Sequence, residues 1–141
     1  MRFPCSRRYA ARARRALVTY LTSIEADPRL QSELVTAVGE AIANALEHAY
    51  PDAHFFEVRC SMGSDAIVAE VEDDGSGFRG DAVPPGPGMT RGFGFGIMRS
   101  LVDELHILKN GKLVRFTKRL HRDAREAREA EGPRASCRPG S

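Results

Sequence analysis

Three short segments, rich in polar residues or glycine, stand in a fixed order along this chain and constrain its fold more than any other feature. The first, residues 40–48, has the sequence EAIANALEH and lies in a stretch of helical periodicity. The second, residues 73–77, is DDGSG at the end of an alternating apolar run, and the third, residues 92–96, is GFGFG at the start of another helical stretch. A helix, a strand end and a glycine-rich loop in this order predict one nucleotide-binding pocket.

The composition predicts a single globular domain in the cytoplasm. Of the 141 residues, 42% are hydrophobic and 28% are charged, and no apolar run is long enough to predict a membrane span. The net charge of +2 is too small to indicate a nucleic-acid partner. Cys5, Cys60 and Cys137 form no C-x-x-C pair, so neither a disulfide framework nor a zinc site is predicted, and a reducing compartment fits them.

The N-terminal region is rich in arginine and contains no acidic residue before Glu25. Such a segment is typical either of a mitochondrial transit peptide or of a helix whose basic face is solvated. We favour the helix because apolar residues recur there at helical spacing. The arginines are Arg2, Arg7, Arg8, Arg12, Arg14 and Arg15, and the apolar residues are Ala10, Ala13, Leu17, Tyr20, Leu21 and Ile24.

Periodicity and turn residues predict an α+β fold for residues 1–120. The element order predicts a two-layer α/β sandwich, in which helices cover one face of a mixed, mostly antiparallel sheet. Glycine and proline at 78–91 predict a mobile loop, and the charged residues 121–141 predict a flexible tail. The expected helices are 6–24, 30–50 and 93–102, and the expected strands are 54–62, 66–72, 104–109 and 112–120.

The first polar segment suits chemistry on a metal-bound phosphate. Glu40, Asn44 and His48 are four residues apart, so a helix places them on one side. Because Mg²⁺ takes few protein ligands, the amide oxygen of Asn44 is a sufficient protein ligand. The carboxylate of Glu40 is a candidate general base. The alternative is an ordinary helix with an exposed glutamate and a capped or buried asparagine.

The second segment suits recognition of a nucleotide base. A buried carboxylate at Asp73 can accept a hydrogen bond from the amino group of adenine, while Gly75 and Gly77 allow a close approach of the backbone. The alternative is an Asp-Gly turn that only joins two elements. We expect the neighbouring Asp74 to point towards solvent.

The third segment suits phosphate binding. Gly92, Gly94 and Gly96 lead from a loop into a helix, and backbone N–H groups at such a position attract phosphate. Neither the Rossmann spacing nor a P-loop lysine is present, so a glycine-rich lid with Phe95 packed inward is predicted. Arg91 is a candidate contact for the terminal phosphate, with a solvated arginine as the alternative.

In this order, the three segments resemble the N box and the two glycine boxes of the GHKL ATPases, which share the Bergerat or histidine-kinase-like ATPase fold. The resemblance covers residues 33–120, and the run GIMRSLVDE at 96–104 is most similar to the anti-sigma-factor serine kinases. It implies ATP and Mg²⁺, with Asn44 on the metal, Glu40 as base and Asp73 on adenine. Thr117 matches the threonine that the family carries near the base.

The same resemblance implies protein partners. These are a STAS-type anti-anti-sigma protein as the phosphorylated substrate, a sigma factor that is sequestered, and a second copy of the chain in a homodimer. Members of the family begin with an edge strand, for which this chain offers only residues 1–5. The sequence therefore leaves that strand, and any dimer built on it, open.

Two other functions fit the same segments. In a non-catalytic switch, ATP or ADP would only set the conformation of the Pro/Gly loop and thereby control a partner. Glu40 favours catalysis, because a protein that only binds nucleotide needs no general base. The catalytic half of a two-component histidine kinase is disfavoured, because too few residues precede residue 40 to form a dimerising phosphoacceptor hairpin.

Overall fold

The computed structural model describes residues 1–49, 53–76 and 95–120 of the chain. The predicted loop at 78–91 and the predicted tail at 121–141 lie outside these residues. Within them, no helix is long and apolar enough to cross a bilayer. The elements in chain order are β1 (Arg2–Pro4), α1 (Arg7–Ser23), α2 (Pro28–Asn44), a π-helical turn (Ala45–Ala49), β2 (Phe55–Met62), β3 (Ala66–Asp73), α3 (Phe95–Leu101), β4 (Glu104–Leu108), a 3-10 turn (Lys109–Gly111) and β5 (Leu113–Arg119).

Helix α1 has the apolar stripe that the sequence predicted. One side of the helix is buried in the core, while Arg7, Arg8 and Arg12 on the other side are exposed. The helix ends where Glu25 adopts a positive φ of 55°, and the Ala26 N–H donates to the carbonyl of Leu21 at 3.0 Å. The buried residues are Ala10, Ala13, Leu17 and Leu21, and Tyr20 and Ile24 are partly buried against the same core.

Helix α2 begins at a cap that fixes its first turn. The carboxylate of Asp27 accepts hydrogen bonds from the backbone N–H groups of Arg29 at 3.0 Å and Leu30 at 3.2 Å. Pro28 occupies the first helical position, where a missing N–H is tolerated. The helix then buries a complete stripe in the core, formed by Leu30, Leu34, Ala37, Val38, Ala41 and Ile42.

The five described strands form one sheet in the order β1-β2-β3-β5-β4, and every pairing between them is antiparallel. The mixed sheet that we predicted is thus antiparallel throughout the described strands. The edge strand that the sequence left open exists as β1, whose Phe3 pairs with Phe56 of β2. Alternate residues of the strands face the helices and complete one core, among them Phe56, Val58, Ile67, Ala69, Val71, Val114 and Phe116.

The opposite face of the sheet carries an ion-pair ladder. Arg59 binds Glu70 at 2.9 Å and Glu72 at 2.8 Å, Arg115 binds the second oxygen of Glu70 at 2.7 Å, and Lys109 binds Glu72 at 2.7 Å. Burial alone would raise the pKa of Glu70, but hydrogen bonds from Arg115 and Arg59 outweigh it and hold the pKa below its ordinary value. Among the residues that the structure describes, this face is therefore covered by alternating charges rather than by a second layer.

Lys118 connects three elements inside the core. It is 8% exposed and is the one buried charged residue among those that the structure describes. Its ammonium lies 2.7 Å from a carboxylate oxygen of Glu33 in α2 and donates to the carbonyl of Leu101, the last residue of α3, at 2.8 Å. The lysine of β5 thereby fastens α3 to α2.

Candidate functional site

The C-terminal half of α2 presents two of the predicted site residues. Glu40 and Asn44 are partly exposed on this helix, whereas Ala41 and Ile42 between them are buried in the core. Asn44 is the last α-helical residue, because the next five residues form a π-helical turn. The spacing of four that predicted a shared side therefore holds from Glu40 to Asn44 and ends there.

Asp73 is the last residue of β3 and lies on the face of the sheet that the helices cover. Its Oδ1 atom accepts a hydrogen bond from the N–H of Gly75 at 2.8 Å, and its backbone N–H donates to the carbonyl of Lys112 at 3.0 Å. In the described parts of the chain, no donor reaches its second oxygen, Oδ2. Burial raises the pKa of Asp73, and the Gly75 hydrogen bond opposes that rise. The residue thus offers a half-buried, oriented acceptor.

Cys5 shows that Asp73 and the end of α2 lie at the same end of the fold. Burial raises the pKa of its thiol to about 11, and the neighbouring charges of Asp73 and Asp74 add to that rise. Cys5 also lines a groove of about 480 Å³ together with residues next to Asn44. The residues lining the groove are Cys5, Ser6, Arg7, Ala10, Arg14, Ala43, Leu46 and Glu47.

Asp74 is exposed, as expected, but its side chain also has backbone partners that the sequence did not indicate. Oδ1 accepts hydrogen bonds from the N–H groups of His54 at 2.7 Å and Phe55 at 2.9 Å. Its own N–H donates to the carbonyl of Phe55 at 3.3 Å. The partners are 19 and 20 residues away in sequence, so no local pattern could have indicated them.

The glycine residues are described only in part. Gly75 is buried directly after β3, and Gly96 is the second residue of α3. Phe95 opens that helix and is 3% exposed, which confirms that it packs inward. Gly77, Arg91, Gly92 and Gly94 lie outside the described residues.

Thr117 is placed apart from the other site residues. In β5 it lies between Phe116 and Lys118, which are both buried on the helix-covered face. Strand alternation therefore directs Thr117 to the face with the ion-pair ladder, where it pairs with Val68 and Glu104. The structure does not bring it together with Asp73. The alternation around Phe116 was already visible in the sequence and could have indicated this.

Comparison with known proteins agrees with the architecture. The family model for the histidine kinase-like ATPase domain matches residues 3–118. The anti-sigma F factor of Clostridium novyi (strain NT) is 30% identical over 120 residues, which are 77% of this chain and 84% of that protein. The anti-sigma F factor of Caldanaerobacter subterraneus subsp. tengcongensis is 31% identical over 110 residues, which are 69% of this chain and 77% of that protein.

A solved structure has the same fold. The structure of the RsbU and RsbW domains of Rv1364c from Mycobacterium tuberculosis superposes with a TM-score of 0.63 at 22% sequence identity. The superposition covers 88% of this chain but only 33% of the longer solved chain. The fold and the family resemblance expected from the three segments are confirmed, and the chain belongs to the histidine kinase-like ATPase domain family.

Proposed function

We propose that this protein is an ATP-dependent serine/threonine kinase of the anti-sigma-factor type. It would phosphorylate a STAS-type anti-anti-sigma protein and, in another state, sequester a sigma factor. The family implies ATP as the ligand, and relatives about 30% identical carry the name anti-sigma F factor. The observation that carries the proposal for this chain is the carboxylate of Asp73, held by Gly75 through one oxygen while the other is left for a ligand.

Asp73 would recognise adenine. A carboxylate only accepts hydrogen bonds, so Oδ2 is matched to the exocyclic amino group of the base. The half-buried position strengthens such a bond, because water competes less well there. The absence of a side chain at the buried Gly75 leaves room for the base beside the turn. In this proposal Thr117 does not contact the base, because strand alternation directs its side chain to the other face of the sheet.

Asn44 and Glu40 would act on the phosphates. An amide oxygen and a carboxylate lie on consecutive turns of α2, and Mg²⁺ prefers oxygen ligands of this kind. A bound Mg²⁺ ion would neutralise phosphate charge during transfer. Asn44 would be the protein ligand of the metal, and Glu40 would accept the proton of the attacking serine or threonine hydroxyl. Gly92, Gly94, Gly96 and Arg91 remain the candidates for the phosphates themselves.

Titration calorimetry with Mg-ATP tests the adenine contact. Asp73→Asn places an amide donor against the amino group, and loss of a hydrogen bond to a charged group costs about 1.5–3 kcal/mol. ATP affinity should fall by roughly 10- to 150-fold. Asp65→Asn is the matched control, because Asp65 is exposed at the opposite end of the same hairpin. Unchanged affinity in Asp73→Asn would remove this residue from the pocket.

A second pair of variants separates catalysis from binding. Glu40→Gln should retain Mg-ATP binding but abolish phosphate transfer to a STAS-domain protein of the same organism, because the proton acceptor is lost. Asn44→Ala should weaken the magnesium-dependent part of binding as well. If Glu40→Gln transfers phosphate like the parent, Glu40 is not the base. If the parent binds ATP without any transfer, the non-catalytic switch is the correct function.

A further inference from the structure

The carboxylate of Asp74 joins the start of β2 to the end of β3, at the end of the sheet where Asp73 lies. The last paired residues of β2 and β3 are Phe56 and Asp73, and beyond them the ladder stops. There the Oδ1 atom of Asp74 accepts hydrogen bonds from the N–H groups of His54 at 2.7 Å and Phe55 at 2.9 Å. The carbonyl of His54 accepts the N–H of Cys5 at 2.9 Å, which ties the end of β1 to the same point.

These hydrogen bonds fix the conformation of the backbone next to Asp73. Asp73 and Asp74 share a peptide bond, so fixing Asp74 on both its side chain and its N–H fixes the chain direction as it leaves β3. Gly75, whose N–H holds Oδ1 of Asp73, follows immediately. A strand end without such partners frays, and the free oxygen of Asp73 would then lose its direction.

The choice of a carboxylate at this position has an electrostatic cost. Asp74 lies beside a second carboxylate, and its charge contributes to the raised pKa of Asp73. Burial would raise the pKa of Asp74 as well, but the N–H groups of Phe55 and His54 outweigh that and lower it. The side chain is 38% exposed, which leaves part of its charge in water. The two backbone N–H groups that donate to Oδ1 of Asp74 thus stabilise its charge beside the carboxylate of Asp73.

We propose that Asp74 is the positioning residue of the adenine contact: by clamping the start of β2 to the turn after β3, it holds Oδ2 of Asp73 towards the base. The inference rests on the proposed nucleotide function and adds a determinant of base selectivity to it. In this proposal Asp74 makes no contact with the nucleotide itself. Its effect on binding passes entirely through Asp73.

A selectivity measurement distinguishes positioning from a general structural role. The probes are Mg-ATP and the Mg complex of the purine nucleoside triphosphate that lacks the 6-amino group. Asp74→Ala should lower ATP affinity about 10-fold and leave the affinity for the deaminated analogue within about twofold, because only the amino contact is disturbed. Asp74→Asn keeps an acceptor oxygen for both N–H groups and should restore selectivity. Asp65→Ala, at the opposite end of the hairpin, is the control.

The double variant tests the route through Asp73. In the Asp73→Asn background, Asp74→Ala should cause no further loss of ATP affinity, because the contact that it positions is already gone. Equal losses for ATP and the analogue, or additive losses in the double variant, would overturn the proposal. So would an Asp74→Ala protein that selects ATP like the parent.

Two precautions keep the outcomes separate. If Asp73→Asn leaves ATP affinity unchanged, the adenine contact of the proposed function is wrong. If Asp73→Asn lowers ATP affinity and Asp74→Ala does not, only the positioning role is wrong.

If Asp74→Ala fails to fold, as judged by thermal melting, Asp74→Glu takes its place. It keeps the charge but moves the carboxylate by one methylene, so it should lose selectivity in the same way. Parent-like selectivity of Asp74→Glu would then count against the inference.

Discussion

Replacement of Lys118 by methionine should destabilise the domain far more than loss of a surface lysine. Methionine keeps the apolar stem in the core but removes the ammonium that lies 2.7 Å from Glu33 and donates to the carbonyl of Leu101 at 2.8 Å. The side chain of Lys118 is 10% exposed and that of Glu33 is 23% exposed. The carboxylate of Glu33 and the carbonyl of Leu101 thus stay at the edge of the core after the ammonium of Lys118 is removed.

The size of the effect follows from those exposures. Breaking a fully buried ion pair costs about 3–5 kcal/mol, because the remaining charge has no compensation. Glu33 is only partly buried, however, and it keeps Arg29 at 3.3 Å, so part of that cost is relieved. The carbonyl of Leu101 loses its donor as well. We expect the free energy of unfolding to fall by about 2–3 kcal/mol, which corresponds to a drop in Tm of roughly 6–12 °C for a domain of this size.

Urea unfolding of a matched set measures this. Lys109→Met is the control, because Lys109 lies at the same distance of 2.7 Å from Glu72 but is 55% exposed. Its loss should cost less than about 1 kcal/mol. A double-mutant cycle of Lys118→Met with Glu33→Gln should give a coupling energy of about 1.5–3 kcal/mol. If Lys118→Met costs no more than Lys109→Met, burial does not set the strength of this pair and the reasoning is refuted.

Two further predictions concern titration. The Lys118 hydrogen bond is the main cause that lowers the pKa of Glu33 below its ordinary value of 4.5, so the pair's contribution is complete above pH 4.5 and is lost as the pH falls through the lower, folded-state pKa. Acid unfolding monitored by circular dichroism should therefore be less steep in Lys118→Met, and an identical pH profile would contradict this. Burial raises the pKa of the Cys60 thiol to about 11, so iodoacetamide at pH 8 should alkylate it about 100-fold more slowly than a thiol of ordinary pKa. Peptide mapping by mass spectrometry, with the urea-unfolded chain as control, would reveal any rapid native labelling.

The regular elements could be predicted because their signals are local. The β2–β3 hairpin was expected at 54–62 and 66–72 and is found at Phe55–Met62 and Ala66–Asp73, since side-chain alternation repeats every two residues. The two residues left between the expected strands 104–109 and 112–120, Asn110 and Gly111, form a turn in which both have positive φ. The start of α2 was expected at 30 but is found at Pro28, because Asp27 caps the helix and accepts the N–H of Leu30.

The site could be predicted only as far as its motifs are local. Asp73 and Gly75 lie within one turn, and their hydrogen bond follows from the Asp-x-Gly spacing. The partners of Asp74 depend on how β2 is placed beside β3, which residue spacing within the motif does not specify. Thr117 is the reverse case: the motif predicts a place near the base, whereas strand alternation directs its side chain to the other face of the sheet.

The strand order has a consequence for synthesis of the protein. β5 is the last described strand in sequence, yet it lies inside the sheet between β3 and β4. A nascent chain that has emerged from the ribosome only as far as β4 therefore has an unpaired edge on β3, and its β4 has no strand to pair with. At about 5–20 residues per second, translation leaves the inner edge of β3 open for several seconds before Leu113–Arg119 is made. A ribosome stalled in that interval would present this open edge of β3 to neighbouring chains and chaperones.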